Sequence, residues 1–145
     1  MKLFKLLPIL FLISITFGGC ASLQLQKEAA TVPDGHLRVS IINDTDVLMY
    51  HHTSWVNHNV PDIKGPAPMC GGEIRPGKDH TFDQRISSWS FKGDRIFRTK
   101  WSLLRYRGPD KAKKYEKYKN ELTYRIPVGT AIIKVYHKHY KAIPR

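Results

Sequence analysis

The sequence predicts an all-β protein: one antiparallel β-sandwich over residues 36–145. Three observations carry this. About seven short runs alternate apolar and polar residues, as half-buried strands do. Turn chemistry separates them at Asn43-Asp44-Thr45-Asp46, Pro76-Gly77, Lys92-Gly93-Asp94 and Pro127-Val128-Gly129. The chain behind its N-terminal segment, about 126 residues, suits one domain with one modest core.

The elements follow in order. From His36, Leu37, Val39 and Ile41 alternate with Arg38 and Ser40. Val47 to Trp55 reads as a second strand, with Met49, His51, Thr53 and Trp55 on one face. Leu48, Tyr50, His52 and Ser54 take the other face. Both faces carry large groups, so the pattern does not choose the core side. Asn57 to Gly72 holds Pro61, Pro66 and Pro68, which exclude a central strand, and is expected to be a long loop. Pro76-Gly77 predicts a type II turn. After it His80, Phe82, Gln84 and Ile86 alternate. Phe97, Thr99, Trp101 and Leu103 make the clearest core-facing run. Asp110 is placed to N-cap a short helix over 110–120, with Ala112, Tyr115 and Tyr118 on one side. Leu122, Tyr124 and Ile126 start another strand, and Thr130 to Tyr140 is read as the last.

An apolar strand, a polar Asn43-Asp44-Thr45 turn and a later Ile74-Arg75-Pro76-Gly77 step resemble immunoglobulin-like and transthyretin-like exported domains. Accessory lipoproteins of bacterial secretion machines, including the transthyretin-like type VI class, are similar in size and architecture. The resemblance implies a fold, and a fold leaves function open.

The N-terminus is more specific. Lys2 and Lys5 precede an apolar run from Leu6 to Phe17, then Gly18-Gly19-Cys20. The run is about a dozen residues, a signal-peptide length and short of the ~20 needed to span a bilayer. Phe17-Gly18-Gly19-Cys20 resembles the lipobox of bacterial lipoproteins, with Phe where Leu is usual. The resemblance implies a signal peptide over 1–19, cleavage between Gly19 and Cys20, and lipid on the Cys20 sulfur. Residues 20–35 then form a lipidated tether. Two or more acyl chains hold a protein stably on a membrane. Ala21, in place of the Asp that retains such proteins at the inner membrane, implies a periplasm-facing position on the outer membrane.

The formal net charge is +12; without Lys2 and Lys5 it is about +10. Such basicity commonly signals nucleic acid, but export argues for phospholipid headgroups, glycopolymers or acidic proteins instead. Two cysteines in an exported chain invite a disulfide. Lipid on Cys20 forbids it and leaves Cys70 as a thiol that is buried, reactive or paired between molecules.

The candidate sites follow. Arg105, Arg107, Lys111, Lys113, Lys114, Lys117 and Lys119 surround Tyr115 and Tyr118, a pattern that attracts anionic glycolipid or cell-wall polymer. Trp55, Pro66 and Met69 are candidates for docking an envelope protein partner at a sandwich end. Imidazole with soft sulfur suits copper(I) or zinc, and His51, Cys70 and His80 are the weak candidates for such a site. His51 and His52 are neighbours on a strand and so face opposite ways. His137 and His139 share a face beside basic residues. No Gly-x-Ser-x-Gly elbow is present, and Asp44, Asp46, Asp62, Glu73, Asp79, Asp83 and Asp94 form no evident pair. A Cys70–His80 dyad is conceivable, since a nucleophile needs only a nearby base. The sequence reading is therefore a non-enzymatic, cofactor-free envelope lipoprotein that docks a protein partner.

Overall fold

A computed structural model describes residues 21–58, 64–86, 95–107, 112–115 and 120–145. It is an all-β sandwich of two packed, antiparallel-rich sheets with one short helix. The strands are β1 (His36–Ile42), β2 (Met49–Trp55), β3 (Ala67–Ile74), β4 (Asp79–Arg85) and β5 (Arg95–Arg107), then β6 (Ala112–Tyr115), β7 (Asn120–Ile126), β8 (Thr130–Val135) and β9 (Tyr140–Pro144). One sheet runs β4-β1-β8-β9; the other runs β3-β2-β5, with β6 and β7 both paired to β5.

Period-2 alternation decides which side chains meet. Leu37, Val39 and Ile41 of β1 pack with Ile133 and Val135 of β8, and face Met49, Phe97, Trp101, Tyr124 and Ile126 of the other sheet. On β2 the inward face is Met49, His51 and Thr53, all fully buried, while Tyr50 and His52 are half-buried on the opposite face.

Four sequence expectations change. The sandwich is not wholly antiparallel, because β1 and β8 pair in parallel. The stretch read as a long loop becomes β3 from Ala67 onward. Pro68 is tolerated there because β3 is an edge strand with a register shift opposite Thr53 and Ser54. The last strand is two: β8 and β9 are joined by a turn at Tyr136–His139, where the Tyr136 N–H donates to the His139 carbonyl at 2.8 Å. The expected helix over 110–120 is replaced in its described part, where Ala112–Tyr115 is strand β6. The expected Lys92-Gly93-Asp94 turn lies outside the described residues.

Residues 21–30 are helical and are labelled α1. Ala29, and Val32 just beyond the helix, are buried against Ala131, Ile132 and Ile143, with Leu25 beside them. Lys134 donates to Glu28 at 3.0 Å. The segment expected to be a loose tether over 20–35 is thus docked on the outer face of the first sheet from Leu25 onward. Docking explains why Ile132 is apolar although it points away from the sandwich interior.

The connection between the sheets is rigid. In the Arg75–Lys78 turn the Lys78 N–H donates to the Arg75 carbonyl at 3.1 Å, with Gly77 at φ 67°, as a Pro-Gly type II turn requires. Asn43, fully buried, donates from Nδ2 to the Val47 and Ile74 carbonyls, each at 2.8 Å. Its own backbone accepts from the Gly77 N–H and donates to the Lys78 carbonyl. The β1–β2 turn thereby fixes the passage from β3 to β4.

Candidate metal centre

That passage carries the chain from the edge of one sheet to the edge of the other, so β3 and β4 line one flank of the sandwich. Cys70 lies opposite Thr53, and Gly72 lies opposite His51. His80 lies opposite Ile41, on the inward side of β4. Gly72 carries no side chain, and a Cβ there would stand 3.5 Å from His80 Nδ1. The His80 ring takes that room and reaches across to β2.

The result is a compact donor set. His51 Nε2 and His80 Nδ1 are 2.8 Å apart. Cys70 Sγ lies 3.6 Å from His80 Nε2 and 3.9 Å from His80 Nδ1. One ligand atom from each of His51, Cys70 and His80 falls within 4.8 Å of the others. His51 is fully buried, whereas Cys70 and His80 are half-buried at the flank. Burial, followed by the neighbouring His80 and His52 rings, pushes the His51 pKa down to about 4, so its ring is neutral at physiological pH.

A polar chain runs inward from this set. His51 Nδ1 is 3.3 Å from Thr53 Oγ1, which is 3.0 Å from Thr99 Oγ1. Thr99 Oγ1 is 3.0 Å from the Tyr124 hydroxyl. Burial raises the Tyr124 phenol above its ordinary range, opposed by the bond to Thr99. Thr99 is the described hydrogen-bond partner of Tyr124, and a buried phenol donates. One proton order that the chain can take runs from Tyr124 to Thr99, from Thr99 to Thr53 and from Thr53 to His51 Nδ1. In that order the His51 proton sits on Nε2, between it and His80 Nδ1.

The donors fit a soft cation. Two nitrogens bound at about 2.0–2.1 Å to one ion stand roughly 3.3–3.6 Å apart, so the two imidazoles, now 2.8 Å apart, need part by only about 0.5–0.8 Å. His80, on an edge strand, is the one free to move; His51 is held by Thr53. Thiolate and imidazole are ligands for copper(I) and zinc, not for magnesium or calcium.

The other candidates are dispersed. His52 is on the outer face of β2, and His58 Nε2 bonds the Gly65 carbonyl at 2.7 Å. His137 packs edge-on against Trp101, and His139 stacks on Tyr136. Trp55 stacks on Phe97, and Met69 packs against the core cluster, so of the proposed docking residues Pro66 is the exposed one. The backbone register sets Arg105 opposite Lys114 and Arg107 opposite Ala112, with Lys113 opposite Tyr106. Lys111, Lys117 and Lys119 lie outside the described residues, as do Gly19 and Cys20. Thr53, Thr99 and Tyr124 escape sequence reasoning as site residues. Their signal is a threonine on the inward face of each of two apolar strands. The chain matches no protein-family model and no curated protein.

Proposed function

We propose that this protein is a lipid-anchored module of the bacterial envelope that binds a soft metal ion through His51, Cys70 and His80. One observation carries the reading: three donors of the soft-metal type, from three strands and both sheets, converge within 4.8 Å. The Pro-Gly turn, the Asn43 clasp and the bare Gly72 all serve that convergence. The cation takes the place of the proton shared by His51 and His80. With Nε2 of His51 on the ion, its remaining proton sits on Nδ1, where Thr53 accepts it, the outer support that metal-bound histidines ordinarily have. Binding competes with protons, so affinity rises with pH. Lipid on Cys20 would hold the module at the membrane, and the docked helix α1 supports a short distance between bilayer and sandwich.

The test is titration of the lipidated protein in detergent with zinc(II) and, anaerobically, copper(I). The expected result is one ion per chain, weakened at least about 100-fold by Cys70→Ser and by His80→Ala with the β-sheet circular dichroism intact. Absence of binding, or binding indifferent to both substitutions, overturns the proposal. Anchoring is tested separately: Cys20→Ser should release the protein from membranes.

A further inference from the structure

Resting on that metal-site reading, we infer that the preferred ion is monovalent copper(I), and that the site discriminates against zinc(II) through charge and ligand number. The donor cluster contains one anionic ligand, the Cys70 thiolate, and no carboxylate. Copper(I) with one thiolate and two neutral imidazoles is electrically neutral. Zinc(II) with the same ligands keeps a full positive charge.

The surroundings penalise that charge. His51 is 0% exposed. Met49, Ile74 and Trp101 belong to the same buried cluster that β2 lines, and the Phe82 ring meets His80 edge-on at 5.8 Å. The chain behind the signal segment is itself strongly basic, about +10, which further disfavours an added positive charge. An unneutralised ion in such a setting is strongly disfavoured.

Ligand number acts in the same direction. Structural zinc takes four ligands, whereas a soft monovalent ion is satisfied by three. On the inner side the Thr53 hydroxyl is already held by His51 and Thr99. Zinc would have to complete its shell with a water from the half-buried side of Cys70 and His80. Copper(I) needs none. The half-buried Cys70 and His80 sit outermost, between two edge strands, and form the side from which the ion enters and leaves.

The experiment is a paired competition on the lipidated full chain. Copper(I), supplied as its acetonitrile complex under anaerobic conditions, is competed with bicinchoninate; zinc(II) is competed with a chromophoric chelator. Copper(I) should bind at least about 1000-fold more tightly than zinc(II), and X-ray absorption should give a three-coordinate ion with one sulfur and two nitrogens. Zinc(II) binding as tightly as copper(I), both abolished by Cys70→Ser, would overturn the copper preference and leave the metal site standing. Failure of both ions to bind the unsubstituted protein defeats the metal site itself.

Discussion

His51 and His80 belong to different sheets, yet their ring nitrogens stand 2.8 Å apart and share one proton. The bond ties the two layers at their open flank, and it requires one of the two facing nitrogens to be unprotonated. Without metal, the His51 pKa of about 4 lies below its ordinary value of 6.5. Between those values the unfolded chain binds a proton that the folded chain does not. The stability contributed is complete above pH 6.5 and is lost as pH falls through about 4. Chelator-treated protein should lose about 3 kcal/mol across that window, read from urea midpoints at pH 7.5 and pH 4. A midpoint unchanged between the two would contradict the buried, neutral state.

Thr99 joins two hydroxyls that have different alternatives. Thr99→Val strands the buried Tyr124 phenol and should cost about 2 kcal/mol, while Tyr124→Phe, which leaves Thr99 bonded to Thr53, should cost about 1 kcal/mol. The double variant should cost about 1 kcal/mol less than the sum, because no phenol remains to be stranded. Denaturant unfolding of the full cycle measures the coupling; strict additivity would mean that the chain is not a connected network.

Asn43 holds the turn that delivers His80. Asn43→Ala leaves the Val47 and Ile74 carbonyls without their side-chain donor and should destabilise the fold by about 2–3 kcal/mol. Cys70 and His80 also lose their fixed separation. Metal affinity should fall even where circular dichroism shows a folded sandwich, a combination that a purely structural role for the turn does not produce.

Helix α1 is docked through a small contact. Ala29 is 3% exposed, and Ala29→Glu places a carboxylate against Ile132 and Ile143. The helix should detach while the strands persist, because the two sheets bury a core of their own. The expected signature is unchanged strand circular dichroism, lower helical signal and new binding of a hydrophobic dye. Global unfolding would show instead that the sandwich depends on α1.

The legibility of this chain follows from how each pattern is generated. Leu37-Val39-Ile41, Phe97-Thr99-Trp101 and Leu122-Tyr124-Ile126 alternate cleanly because one face of each strand meets the core, so their direction is visible in the sequence. β8 hides its alternation: Ala131 and Ile132 lie under α1 while Ile133 and Val135 enter the core, and both faces are buried. β3 hides because proline signals a loop wherever strand edges are ignored. The break between β8 and β9 has neither glycine nor proline and is made instead by the stacked Tyr136 and His139 rings, 4.4 Å apart. The site residues His51, Cys70 and His80 are recognisable by type. Their convergence is not, since it depends on two edge strands from different sheets coming to one flank.

The parallel pairing of β1 with β8 also sets an order of events. Arg38 pairs with Ile132, and Arg145 closes over the start of the same segment, its guanidinium bonding the Val32, Pro33 and His36 carbonyls. Val32 and Arg145 are 113 positions apart. A chain emerging N-terminus first can form the β2–β3 hairpin and pair β1 with β4 early, but the other edge of β1 must wait for β8, and α1 for β8 and β9. Contacts this distant in sequence slow folding. During that interval Leu37, Val39 and Ile41 lack their β8 neighbours, so a half-made chain presents apolar surface that the finished sandwich hides.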